Sequence, residues 1–258
     1  MPNDIVFPPN GRLPVVAWSG PLPIGAKFTP HSGKALVLFC FDGMMRVEVG
    51  EDRWFIPDRH GIWLPAGTVP MVEPVVEPVG DIEFQAFQLH PKFGGRIAMP
   101  EHPTVVSATP LIRGIGRRLT QPSPLPEPQQ RRLGWSALDE VARLERPDLH
   151  LPGSRDPRVA AVMARVMKTP RAASSLDHLA RAAGTSERTL SRLFLRETGL
   201  SWRAWRDRMR FVLALEGLQL GQSSTALADT LGYSSPSAFV AAFRRQSGMT
   251  PTQWRHRR

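Results

Sequence analysis

Apolar and polar positions divide the chain into two regimes. Short apolar or alternating runs occupy 35–41, 44–49, 53–56, 61–64, 69–72 and 82–89, with an earlier run at Val15-Val16-Ala17-Trp18. They are punctuated by Asp42-Gly43, Gly50-Glu51-Asp52, Pro57-Asp58, Pro65-Ala66-Gly67 and Gly80-Asp81. Brief runs bounded by turn formers predict strands, and many of them in close succession predict a β-barrel or a sandwich. Asp42-Gly43 between two apolar runs reads as a hairpin, because glycine takes the positive φ of a tight turn at little cost.

Beyond Pro103 the period lengthens. Leu111, Ile112, Ile115 and Leu119 fit one helical face, and Leu133, Ala137, Leu138, Val141 and Leu144 fit another. Four prolines within residues 121–128 make the loop between them stiff. Such a helical pair can cover the open end of a barrel or meet a second subunit. Pro152, Gly153 and Pro157 mark 148–157 as a linker. After it the chain reads as helical throughout. Asp156 is an N-cap candidate, and Val159, Val162, Met163 and Val166 form a stripe. Ser174 or Ser175 caps the next helix. A long helix over 202–220 turns Trp202, Trp205, Met209, Val212 and Leu215 or Leu218 inward, and the last helix follows Thr250-Pro251 and holds Trp254.

Within this helical half the sequence repeats itself. Leu176, Leu179, Ala180, Ala183, Gly184 and Ser186 recur 48 positions later as Ser224, Leu227, Ala228, Leu231, Gly232 and Ser234. One inserted residue at Ser235-Pro236 then makes the offset 49, so that Leu190, Phe194, Arg196 and Gly199 match Phe239, Phe243, Arg245 and Gly248. Twice, therefore, a short helix with a small inward residue ends at a glycine and is followed by a second helix with a serine N-cap candidate. This is a helix-turn-helix pattern, with the 202–220 helix as a rigid spacer between two copies.

Charge follows the same division. The net charge is +10, and residues 155–258 hold 18 Arg and Lys against 7 Asp and Glu, while the first 154 residues are nearly balanced at −1. A one-sided excess on a helical domain points to a polyanion, and nucleic acid fits it. Hydrophobic residues make up 41% and charged ones 22%, an ordinary globular balance, and no apolar run is long enough to span a membrane. The opening Met1-Pro2-Asn3-Asp4 does not read as a secretory signal, and the single Cys40 fits a reducing cytoplasm as a buried small hydrophobe.

The outward faces of the two copies differ. On 187–198, Arg188 and Arg192 lie one turn apart and could each reach guanine edges, with Ser191 between them. On 236–246 the comparable positions are Ser237, Val240 and Ala241, which can touch a thymine methyl or let the helix approach closely but make few directed hydrogen bonds. Arg196, Arg244 and Arg245 are expected on phosphates, which position a protein without specifying sequence.

The 175–199 segment, Trp205-Arg206, and 231–254 with Gly-Tyr-Ser-Ser-Pro-Ser-Ala-Phe, Ala-Phe-Arg-Arg and Thr-Pro closely resemble the AraC/XylS family of bacterial transcription regulators. Pro30-His31-Ser32, the 43–49 hairpin, Trp54 and Ile62-Trp63-Leu64-Pro65-Ala66-Gly67-Thr68 resemble the cupin-type sensor half found in one branch of it. Leu149–Pro152 and Arg155-Asp156-Pro157-Arg158 resemble that branch as well. The resemblance implies an N-terminal all-β cupin-like barrel followed by a helical pair, then an all-α domain with two helix-turn-helix motifs entering successive major grooves. It carries Arg188, Ser191 and Arg192 over as base contacts in the first unit. Shorter side chains than the family often has, at Ser237, Val240 and Ala241, leave readout mainly to the first helix. Ser224 stands where Ile or Val is usual.

The corresponding boundaries are 1–105 for the barrel, 106–147 for the helical pair, 148–157 for the linker and 158–258 for the DNA-binding domain. An enzymatic cupin would need clustered histidines, yet only His31 stands near the first motif and Met71 occupies the second, with His60, His90 and His102 at no matching spacing. No metal, cofactor or catalytic role is expected. The barrel is instead expected to sense an unknown small molecule, with His31, Phe39, Trp63, Gln85 and Phe87 as pocket candidates, or to form a homodimer. The expected partners are double-stranded DNA and RNA polymerase, and no membrane. A cupin enzyme with a helical assembly tail and a non-specific architectural DNA binder are the competing readings.

Overall fold

The structure is a computed structural model that describes residues 4–5, 7, 12–21, 26–28, 33–41, 43–75, 83–94, 98–123, 125–171 and 175–256. The chain divides into two compact units. The first comprises Met1–Val49 with Trp54–His150, and the second Gly50–Arg53 with Leu151–Arg258.

The strands are β1 (Asp4–Ile5), β2 (Val15–Gly20), β3 (Ala26–Phe28), β4 (Leu36–Cys40), β5 (Met44–Val49), β6 (Asp52–Pro57), β7 (His60–Leu64), β8 (Met71–Pro74), β9 (Phe84–Leu89), β10 (Thr104–Ser107) and β11 (His150–Leu151). The helices interspersed with them are α1 (Pro91–Gly94), α2 (Pro110–Leu119) and α3 (Glu127–Arg143). One sheet of the first unit runs β1-β3-β8-β5-β6 and the other β10-β7-β4-β9-β2. Both are open among the described residues, so the expected barrel is corrected to two separate sheets.

The Asp42-Gly43 turn is a second correction. Asp42 lies outside the described residues, and Gly43 has a φ of 118°, but β4 and β5 do not pair. Both edges of β4 are already taken, Phe39 facing Gly61 of β7 on one side and Gln85 of β9 on the other. The turn therefore carries the chain from one sheet into the other. The run read at 69–72 begins two residues late, because Pro70 can donate nothing to a ladder; Met71 and Val72 pair with Glu48 and Val47. The short β10, which sequence periodicity missed, adds to the edge of β7.

The β4, β7 and β9 strands are buried at every position, so the second sheet is covered on both faces. One face holds Val37, Phe39, Phe87 and Leu89, and onto it α2 and α3 lay Ile112, Ile115, Ala137, Leu138 and Val141. Leu111, read as part of that stripe, is 55% exposed, since its neighbour Ile112 takes the inward position. Close approach is built in at Gly61, where a Cβ would lie 2.6 Å from the Leu38 carbonyl oxygen and inside the Phe39 ring.

An ion cluster fastens α2 to the same sheet. Glu83, just before β9, accepts hydrogen bonds from Arg113 Nε at 3.0 Å and from Arg117 Nε at 2.9 Å, and also from the Gln85 amide at 2.6 Å. Burial works to raise the Glu83 pKa, but the bonds from Arg117 and Arg113 outweigh it and hold the carboxyl down to about 2.

Among the described residues the second unit holds only helices as regular elements beyond the strand ends: α4 (Pro157–Lys168), α5 (Leu176–Ala182), α6 (Glu187–Thr198), α7 (Trp202–Gln219), α8 (Ser224–Thr230), α9 (Pro236–Ser247) and α10 (Pro251–His256). Asp156 caps α4 through a bond from the Arg158 amide, and the Val159, Val162, Met163 and Val166 stripe is buried as read. No described helix is long and apolar enough to cross a membrane.

Because the folded Glu83 carboxyl titrates below its ordinary value, the clamp contributes fully above that value and is lost as pH falls from about 4.5 to about 2. Urea unfolding of the wild-type protein should show stability declining across this window, and Glu83→Gln should flatten that part of the profile. An unchanged acid limb in the variant would show that the clamp does not set it.

Candidate nucleic-acid interface

The repeat seen in the sequence reappears as repeated hydrogen bonding. At the end of α5 the Thr185 amide donates to the Ala180 carbonyl at 2.9 Å, and 48 residues on the Tyr233 amide donates to that of Ala228 at 2.8 Å. Gly184 and Gly232 take the left-handed backbone this closure needs, at φ 67° and 73°. Ser186 caps α6 by accepting from the Thr189 amide, and Ser235 caps α9 by accepting from that of Ala238. At the other end Gly199 and Gly248 stop the helices in the left-handed region. Thr198 Oγ1 donates to the Phe194 carbonyl at 2.6 Å, as Ser247 Oγ does to that of Phe243 at 2.9 Å.

Between the two pairs runs α7, buried around most of its circumference. Trp202 and Trp205 meet Phe194 of α6 edge-on, and Phe211 meets Phe243 of α9. Trp205 Nε1 also donates to the Pro152 carbonyl at 2.8 Å, which ties the proline-rich segment before α4 to α7.

This packing leaves the remaining faces of α6 and α9 outward. Arg188 and Arg192 are exposed and Ser191 is half-buried. Ser237, Ala241, Arg244 and Arg245 are exposed, with Val240 half-buried. Among the described residues no salt bridge or hydrogen bond holds the side chains of Arg188, Arg192, Arg244 or Arg245. Arg196 differs: it bonds to Glu197 at 2.9 Å and approaches Asp156 to 3.7 Å. The Arg158 side chain, against the cost of burial, holds the Asp156 carboxyl down to about 2.

The sensor-side candidates lie elsewhere. Phe39, Trp63 and Phe87 belong to the core beneath α2 and α3, Phe39 and Phe87 meeting edge-on at 5.7 Å. Gln85 donates to the Arg113 carbonyl at 3.2 Å, and Trp63 Nε1 to that of Pro100 at 2.8 Å. His31 lies outside the described residues. Among the described residues no group of three His, Cys, Asp or Glu is placed to hold a metal ion.

The comparisons with known proteins agree with this layout. Residues 179–257 match the family described as a helix-turn-helix domain. A transcriptional regulator of Escherichia coli K12, NimR, is 30% identical over 226 residues, covering 86% of this chain and 79% of its own. The chain belongs to the AraC-type family of helix-turn-helix transcriptional regulators. Another match is the HTH-type transcriptional regulator RipA of Corynebacterium glutamicum, 35% identical over 44% of this chain and 34% of its own. The solved DNA-binding domain of AdpA, in complex with a target DNA, is 31% identical over 40% of this chain and 92% of that chain, with a TM-score of 0.37.

One residue of this AraC-type domain escaped the sequence reading. Arg210 of α7 is 8% exposed, donates from Nη2 to the Gly232 carbonyl at 3.2 Å and lies over the Tyr233 ring at 5.0 Å. Burial pushes its pKa down, and Arg206 beside it adds to that. The signal available was a lone arginine within the inward stripe of α7, together with a tyrosine straight after the turn glycine. Gly184, the counterpart of Gly232, has no such neighbour: a Cβ there would meet nothing.

Arg210→Met keeps the stem but leaves the Gly232 carbonyl and the Tyr233 face without their partner. It should cost about 1–3 kcal/mol in urea unfolding, against about 0.5 kcal/mol or less for Arg203→Met on the exposed side of the same helix. Equal losses in the two variants would remove the buttressing role.

Proposed function

We propose that this AraC-type regulator reads a specific duplex site with both helix pairs, α6 and α9 entering successive major grooves. The supporting observation is the pair of outward faces: similarly capped helices, packed on one spacer, on which Arg188, Arg192, Arg244 and Arg245 make no salt bridge or hydrogen bond among the described residues. In this reading Arg188, Ser191 and Arg192 meet base edges, as do Ser237, Val240 and Ala241, while Arg244 and Arg245 grip phosphates. Arg196 contacts phosphate by exchanging one of its two carboxylate partners.

The remaining assignments are 1–105 as the sensor, 106–147 as its helical cover or a dimer contact, 148–157 as the linker and 158–258 as the DNA-binding domain. The sensor is cupin-like and binds a small molecule, and the protein acts in the cytoplasm as a one-component switch, alone or as a homodimer, with RNA polymerase as a further partner. An effector reaching Phe39, Trp63, Gln85 and Phe87 must displace α2 and α3, so binding changes the packing of that face. The relatives' regulatory role supports a function other than catalysis.

Arg192→Ala should relax discrimination at one or two base pairs by about 1–3 kcal/mol each in a binding-site selection. A variant that selects the same sequences as strongly as the wild type would remove Arg192 from the base contacts. Arg245→Ala should weaken all duplexes alike and lower the salt slope of binding by about 1. A changed sequence preference with the slope intact would refute its phosphate role.

A further inference from the structure

We propose that α9 selects thymine through its C5 methyl group, with Val240 and Ala241 as the reading surface. The inference rests on the DNA-binding reading above and adds to it which chemical group the second pair recognises. The outer side of α9 lines an open groove of about 740 Å³. Pro236, Ser237, Val240 and Ala241 form its helix wall, and Arg244 and Arg245 bound it one turn further on. By the 49-residue offset, Ser237, Val240 and Ala241 stand where α6 carries Arg188, Ser191 and Arg192. The polar, long-reaching set of the first pair is thus replaced by a short, largely apolar one.

The groove has little with which to make directed hydrogen bonds along its wall. Thr250, which also lines it, has its hydroxyl engaged with Gln253, donating to Oε1 at 3.0 Å and accepting from the amide at 3.2 Å. Ser237 remains as the short-range donor. Val240 is half-buried and β-branched, so its two methyls are held in a restricted direction. On a major-groove edge the thymine methyl is the apolar group such a surface can recognise. Charge names the occupant: α9 contains no acidic residue, no carboxylate lines the groove, and two arginines close it. A polyanion with an apolar spot on its edge meets both demands.

Deoxyuridine isolates the claim, because it keeps every hydrogen-bonding group of thymine and lacks the methyl. Preferred duplexes would be selected from a random pool with the full-length protein, then remade with deoxyuridine for thymine in one half of the site at a time. The expected result is weakening by about fourfold for each contacted methyl, the worth of one buried methylene-sized group, confined to one half-site. Val240→Ser should bring the thymine-over-deoxyuridine ratio in that half towards 1, and Arg192→Ala should leave it alone. Should Val240→Ser unfold the domain, Ala241→Ser at an exposed position makes the same test. Equal affinity for both forms in both halves, or a ratio unmoved by both serine variants, overturns the proposal while leaving sequence-specific binding intact. Loss of promoter activation with DNA selection unchanged would assign the groove to a protein partner and overturn it too. A protein that prefers no duplex at all refutes the DNA reading itself, and this inference with it.

Discussion

The C-terminal unit depends on one helix being enclosed. Ten residues of α7, from Trp202 to Leu218, are buried, and they face more than one direction. The first pair closes on its N-terminal half through Phe194. The second closes on its C-terminal half so tightly that a Cβ on Gly217 would fall 2.3 Å from Leu227 Cδ2. An 18-residue helix is a rod of about 27 Å, and its enclosure fixes where along that rod α6 and α9 are anchored. Neither pair could hold its place alone: α5 and α8 have seven residues each, too few to be stable helices without tertiary packing.

How much of this was readable from the amino-acid order varied with the locality of the cause. Caps and turn glycines act within a few residues, so Asp156, Ser186, Gly184 and Gly232 announced their roles. The apolar stripe of α4 was equally plain, because one side of that helix meets the core and the other meets solvent. Strand pairing is non-local. Asp42-Gly43 has the chemistry of a hairpin turn, yet β7 and β9 compete for the same edges of β4 and win them. The four-residue β10 lies in a stretch whose neighbours are helical, and only its partner β7 makes it a strand.

The candidate faces were legible to the same limit. The arginines of α6 and the short side chains of α9 stand out by type and spacing. The contacts behind those faces do not, because they join residues distant in the chain: Trp205 with Pro152, Arg210 with Gly232, Arg196 with Asp156. An enclosed helix such as α7 also blurs its own pattern. A stripe of five inward positions was foreseen, whereas burial on several sides brings Arg210, Phe211 and Ala214 inward as well.

The duplicated capping has a consequence for how this protein can change. The turn bonds at Thr185 and Tyr233, and the helix stops at Gly199 and Gly248, do not involve residues 188, 191 and 192 or 237, 240 and 241. The capping of these helices and their outward faces are therefore written in separate letters of the same sequence. The outward trios of the two pairs correspond at a fixed offset of 49, so exchanging them takes three substitutions and alters none of these caps or turns.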